Sequence, residues 1–152
     1  MLIASVGTVK GYRGYIARRL SEQESLLAMF RHLEGRISRY LSPLRDALQD
    51  FEDDNLRQLG FYEKLSEGQS IKEVFEDLKP RLSVGENVKM IISESLSGLS
   101  LGYKDEVIAK IREVGDSLEK ILKEERESLS KNERVASSVT VAAVLGIFIL
   151  LV

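Results

Sequence analysis

"VASSVTVAAVLGIFILLV", residues 135–152, closes the sequence without one charged side chain. Eleven of its eighteen residues are Val, Leu, Ile or Phe, and each of these favours insertion by about 0.3 to 0.6 kcal/mol near the centre of a membrane helix. A span of the hydrocarbon core takes roughly 17 to 25 mainly apolar residues. A helix on a soluble surface would meet water along one face and show a charge every three or four residues, and this run has no such face. It is therefore read as a transmembrane helix whose anchor residues are Val135, Val139, Val144, Leu145, Ile147, Phe148, Ile149 and Leu150. Ser138, Ala142 and Gly146 recur every fourth residue, giving a face of small side chains along which another helix, including that of a second copy, can approach closely.

Upstream, residues 120–134 carry five positive and four negative side chains. Positive residues dominate orientation, so Lys131 and Arg134 are expected at the membrane surface with the body of the chain cytoplasmic. Further back, Val107, Ile111, Val114, Leu118, Ile121, Leu122 and Leu129 form a near-heptad stripe flanked by "EKILKEERE", whose opposite charges can pair three or four residues apart. No Gly or Pro lies between Leu118 and the span. One nearly continuous helix from about Lys104 into the bilayer, coupling body and membrane rigidly, is the expectation.

The body reads as helical throughout. Only Pro43 and Pro80 interrupt a composition rich in Leu, Glu, Lys, Arg and Ser, and no sustained alternation of apolar and polar residues predicts a strand. From Ile16 the apolar positions Leu20, Leu27, Phe30, Leu33, Ile37 and Leu41 follow a helical stripe in which Gln23 occupies an apolar place. Ser42 and Pro43 restart the helix as N-cap and first residue, with Leu44, Ala47, Leu48 and Phe51 on one face, and "EDDN" ends it. Leu56, Leu59, Tyr62 and Leu65 predict a third helix closed by Gly68. Ser70 and Glu73 have capping-box spacing, Ile71, Val74, Phe75 and Leu78 face inward, and Pro80 stops the run. Another segment from Glu86 carries Val88, Ile91, Ile92 and Leu96. "GLSLG", with Gly98 and Gly102, is read as a turn in which glycine supplies positive φ or close contact. The fold class is thus all-α: a compact helical bundle over residues 16–134, a C-terminal transmembrane helix over 135–152, and a short apolar and basic segment over 1–15.

That first segment opens with nine uncharged residues, followed by Lys10, Arg13, Arg18 and Arg19 before the first acid, Glu22. The order is the reverse of a secretory signal. Nine helical residues cover about half a bilayer, so the segment is either a short membrane anchor with its basic flank at anionic headgroups or a frayed terminus.

Chemistry is sparse. The absence of cysteine excludes disulfides, thiolate metal sites and cysteine nucleophiles. The single histidine, His32, lies beside the first helical stripe and is read as a boundary residue. "FEDDN" (residues 51–55) lacks the glycine and distal glutamate of a calcium loop, and no G-x-x-x-x-G-K-[ST] phosphate loop exists. A formal net charge of -2 does not point to nucleic acid. No catalytic, metal or cofactor site is expected.

The order of "ARRL", "SPLRDAL", "SESLSGLSLGYKDEVIAKI", a charged helix and a terminal apolar span resembles the stage III sporulation protein AB family over nearly the whole chain. Members usually begin with a full transmembrane helix, where this chain has the shorter Met1–Val9. The resemblance implies a cytoplasmic helical domain similar to the platform proteins of type II secretion and type IV pilus machines, which couple an ATPase to a membrane assembly and catalyse nothing. It implies a setting in the mother-cell membrane around the forespore and partnership with stage III sporulation protein AA, the ATPase, and other channel components. A tail-anchored helical adaptor or signalling regulator is the alternative reading of the same residues.

Overall fold

The structure is a computed structural model that describes residues 2–39, 44–99 and 103–151, with side chains described between 10 and 139. Its helices are α1 (Leu2–Arg39), α2 (Leu44–Ala47), α3 (Asp54–Gln58), α4 (Phe61–Ser66), α5 (Ile71–Leu78), α6 (Glu86–Gly98) and α7 (Lys104–Leu151), with a 3-10 turn at Lys79–Arg81. Among the described residues there is no strand, and the fold is all-α. The chain divides into two compact units, Met1–Glu119 and Lys120–Val152.

In the first unit, α1 is the element on which the others are built. Glu22, Gln23, Ser25, Leu26, Met29, Phe30, Leu33 and Ile37 are all buried, covering far more of the helix than one stripe. Leu26 and Met29 lie outside the expected stripe, while Leu20 and Leu27 are only half-buried and Leu41 lies outside the described residues. Two sets of neighbours explain the wide buried face: α1 packs on α2 and α3, and its Arg31 and Glu34 reach α7. From α3 onward consecutive helices pack on one another, α3 on α4, α4 on α5 and α5 on α6. The α7 residues Ile111, Val114 and Leu118 complete this core at 2% exposure or less. Gln23 is fully buried at 0%, as its place in the stripe requires, and its carboxamide finds no partner among the described residues.

Local chemistry sets the boundaries. The capping box is present: Ser70 Oγ accepts from the Glu73 N–H at 3.2 Å and the Ser70 N–H donates to Glu73 Oε2 at 2.8 Å, and the four inward residues of α5 are all buried. Gly68, which closes α4, has φ +98°. Four expectations are corrected. The helix begun at Leu44 lasts one turn, because residues 48–50 form turns. "EDDN" starts a helix rather than ending one, since Asp53 accepts from the Leu56 N–H at 3.0 Å as N-cap of α3. The expected third helix is broken into α3 and α4 at Gly60, whose φ of +83° no other residue type adopts readily. Gly98 ends α6 without a positive φ and with no described atom within 4 Å of a Cβ built there, so among the described residues it supplies neither the positive φ nor the close contact expected there. Gly102, Ser42 and Pro43 lie outside the described residues. Pro80 is accommodated in the 3-10 turn before the chain extends at Leu82.

In the second unit, the backbone is helical up to Leu151. Lys120 and Glu124 face each other at 4.0 Å, one turn apart.

Candidate membrane anchor and interaction surfaces

The C-terminal run is helical, and residues 135–151 at about 1.5 Å per residue extend about 26 Å, close to the roughly 30 Å of a hydrocarbon core. Val135 and Val139 are 61% and 62% exposed. The side chains of Ala142, Val144, Leu145, Gly146, Ile147, Phe148, Ile149 and Leu150 lie outside the described residues. Among those described, no helix is long and apolar enough to cross a membrane. Ser138 Oγ donates back to the Arg134 and Val135 carbonyls at 3.0 and 2.9 Å, so its hydroxyl is satisfied within its own helix. Arg134 and Lys131 are exposed about one and two turns earlier.

The N-terminal cations divide into two pairs. Lys10 and Arg13 are exposed on α1, together with Tyr12 at 63% and Tyr15 at 49%. Arg18 and Arg19 belong to the fold. Arg18 Nε donates to Glu22 at 2.9 Å, and the Arg19 guanidinium lies where a side chain on Gly85 would collide with it, 2.9 Å from a Cβ built there. Glu22, 3% exposed, accepts from the Ser83 N–H at 2.5 Å and lies 3.4 Å from its hydroxyl, while Tyr15 donates to the Ser83 carbonyl at 3.4 Å. One face of α1 therefore holds the Leu82–Gly85 connection that leads into α6. Sequence reasoning missed this clamp, because the Ser83 backbone that Glu22 holds lies 61 positions away.

The largest ionic cluster joins α1 to α7. Arg31 donates to Asp116 at 2.8 Å, Glu119 at 2.6 Å and Glu34 at 3.3 Å, and Arg112 donates to Glu34 at 2.6 Å. Hydrogen bonds to Asp116 and Glu119 hold the Arg31 guanidinium well above its usual pKa, and the bond from Arg112 holds Glu34 below the usual carboxylate range. Gly115 is what lets the guanidinium lie on α7: a Cβ there would be 3.1 Å from Nη1 and 3.2 Å from Cζ.

Elsewhere, polar groups tie helices together. His32 Nε2 lies 2.8 Å from the Ala47 carbonyl, so it donates there, and its ring sits against Phe51 with centroids 5.1 Å apart; it is a structural boundary residue. Asn55 donates to Ser21 Oγ and Ser25 Oγ, each at 2.8 Å, joining α3 to α1. Glu76 accepts from Ser93 and pairs with Lys79, joining α5 to α6, and the Ser93 bond lowers its pKa. Lys64 pairs with Asp77 at 2.8 Å and lowers it likewise. Among the described residues no group of three carboxylates or imidazoles converges to hold a metal ion.

No curated protein and no solved structure matches the chain. The family model for stage III sporulation protein AB matches residues 1–152, where the sequence motifs resemble that family over nearly the whole chain. The chain belongs to the stage III sporulation protein AB family.

Proposed function

We propose that this sporulation protein is a non-enzymatic, membrane-anchored platform that couples a cytoplasmic ATPase to the mother cell–forespore channel. The observation that carries the reading is the uncharged run 135–152, whose backbone is helical to Leu151, directly after the exposed Lys131 and Arg134. Such a run favours the hydrocarbon core by several tenths of a kcal/mol per apolar residue, and the basic pair favours a cytoplasmic domain. Helices fastened by a cluster of side-chain ion pairs, as α1 and α7 are at Arg31, suit an assembly scaffold that transmits position rather than turning over substrate. In this account Lys131 and Arg134 lie at the anionic membrane surface, and the docked partner is the ATPase stage III sporulation protein AA.

The test is calorimetric titration of that ATPase into full-length protein held in lipid nanodiscs, at low and moderate salt. Saturable binding absent from empty nanodiscs supports the platform role. Absence of binding at both salts, by protein whose helicity is intact, removes it.

A further inference from the structure

We infer that the exposed face of α6 around Met90 is a docking surface for a second copy of this chain, which presents the Lys10–Ala17 face of its α1. The inference goes beyond the platform reading and does not depend on it. Met90 is 56% exposed, whereas Val88, Ile92 and Leu96 on the same helix are buried and Ile91 is half-buried. It stands in a shallow groove with Lys79, Asn87, Ser93 and Ser97, where the serines leave room for a close-lying helix. The rim is acidic. Glu86 is 85% exposed although it pairs with Lys89, Glu94 is exposed, and Lys79 is already paired with Glu76.

A complementary face exists on the same molecule. Lys10 and Arg13, three residues apart on α1, point to one side of the helix, and Gly14 and Ala17 beside them are exposed and small. Among the described residues no atom lies within 4 Å of a Cβ built at Gly14, so described packing within one copy does not account for a glycine in the helix interior. Laid on α6 of a second copy, the smooth surface at Gly14 and Ala17 receives the Met90 side chain while Lys10 and Arg13 meet Glu86 and Glu94. A reciprocal pairing of two copies, the commonest symmetry of soluble oligomers, brings the Lys10–Ala17 face of each copy to α6 of the other.

The experiment is analytical ultracentrifugation of the full chain in density-matched detergent, on the unaltered protein, on Glu86→Lys/Glu94→Lys and on Lys10→Glu/Arg13→Glu. The unaltered protein should dimerise, with association falling about tenfold as salt rises from low to several-fold physiological strength, as expected of exposed charge pairs. Each double reversal should weaken dimerisation at least tenfold. An equimolar mixture of the two should regain association, which also shows that both variants are folded. Met90→Ser, which leaves every charge in place, should weaken it severalfold. A monomer at all concentrations overturns the inference, as does a dimer indifferent to both reversals or a mixture that regains nothing. If reversal at Lys10 and Arg13 lowers only the binding of anionic lipid vesicles and leaves association unchanged, the inference is likewise overturned.

Discussion

Replacing Gly115 by alanine should have opposite consequences depending on what lies above it. In a helix interior Gly→Ala gains about 1 kcal/mol. In this protein the new Cβ would sit 3.1 Å from Arg31 Nη1, so the guanidinium must withdraw by a few tenths of an ångström and lengthen its bonds to Asp116 and Glu119, now 2.8 and 2.6 Å. Those carboxylates are 64% exposed and Arg31 is 36% exposed, which limits each pair to about 0.2 to 1 kcal/mol. The cluster as a whole is then worth about 1 to 2 kcal/mol. Gly115→Ala should therefore be neutral or destabilising by up to about 1 kcal/mol in the unaltered chain, and stabilising by about 1 kcal/mol in Arg31→Ala. Urea unfolding followed by circular dichroism, on the four members of this double-mutant cycle, measures the difference directly. At high salt, where the screening length falls from about 8 to about 3 Å, the cost of Arg31→Ala should drop by about half. Equal stabilisation by Gly115→Ala in both backgrounds would refute the placement of the guanidinium on α7.

Acid should act through the paired carboxylates. Glu34, Glu76 and Asp77 all have lowered pKa values, from Arg112, Ser93 and Lys64 respectively. Their stabilisation is fully present above the ordinary values of 4.5 for Glu and 3.8 for Asp and is lost as pH falls through the lower folded values; Ser93→Ala should reduce that dependence, as urea midpoints between neutral and acidic pH would reveal. Gly60→Ala forces a left-handed φ of +83° on a residue with a side chain and should cost about 1 to 2 kcal/mol, measured as a lowered urea midpoint. Gln23→Met removes a buried carboxamide without a partner among the described residues and should raise stability by about 1 kcal/mol; a drop in thermal midpoint would show that the amide is satisfied.

The features legible in the sequence were those governed by neighbours in the chain. The capping box at Ser70, the inward face of α5, the closure at Gly68 and the start of α7 at Lys104 each depend on residues within one or two turns. Periodicity found the stripe of α1 but not its width, because the burial of Leu26 and Met29 depends on packing between elements, which spacing within one helix does not encode. Gly60 was passed over because the apolar spacing of Leu56, Leu59, Tyr62 and Leu65 continues through it, and only the backbone angle reveals the break. The Glu22 clamp and the Arg31 cluster bring together residues 61 to 88 positions apart; each charge alone looks like a solvated surface residue. Arg18 and Arg19 show the cost of that ambiguity, since their basic character suggested the membrane while their geometry holds the entry to α6.

The proposed anchor is tested most directly by accessibility. The chain has no cysteine, so Ser130→Cys, just before the basic pair, gives a unique thiol in the full-length protein made in bacterial cells. With a membrane-impermeant maleimide, labelling should occur only after the cells are permeabilised, and the protein should remain in the membrane fraction through alkaline extraction. Labelling of intact cells would invert the topology, and release into the soluble fraction would contradict the anchor itself.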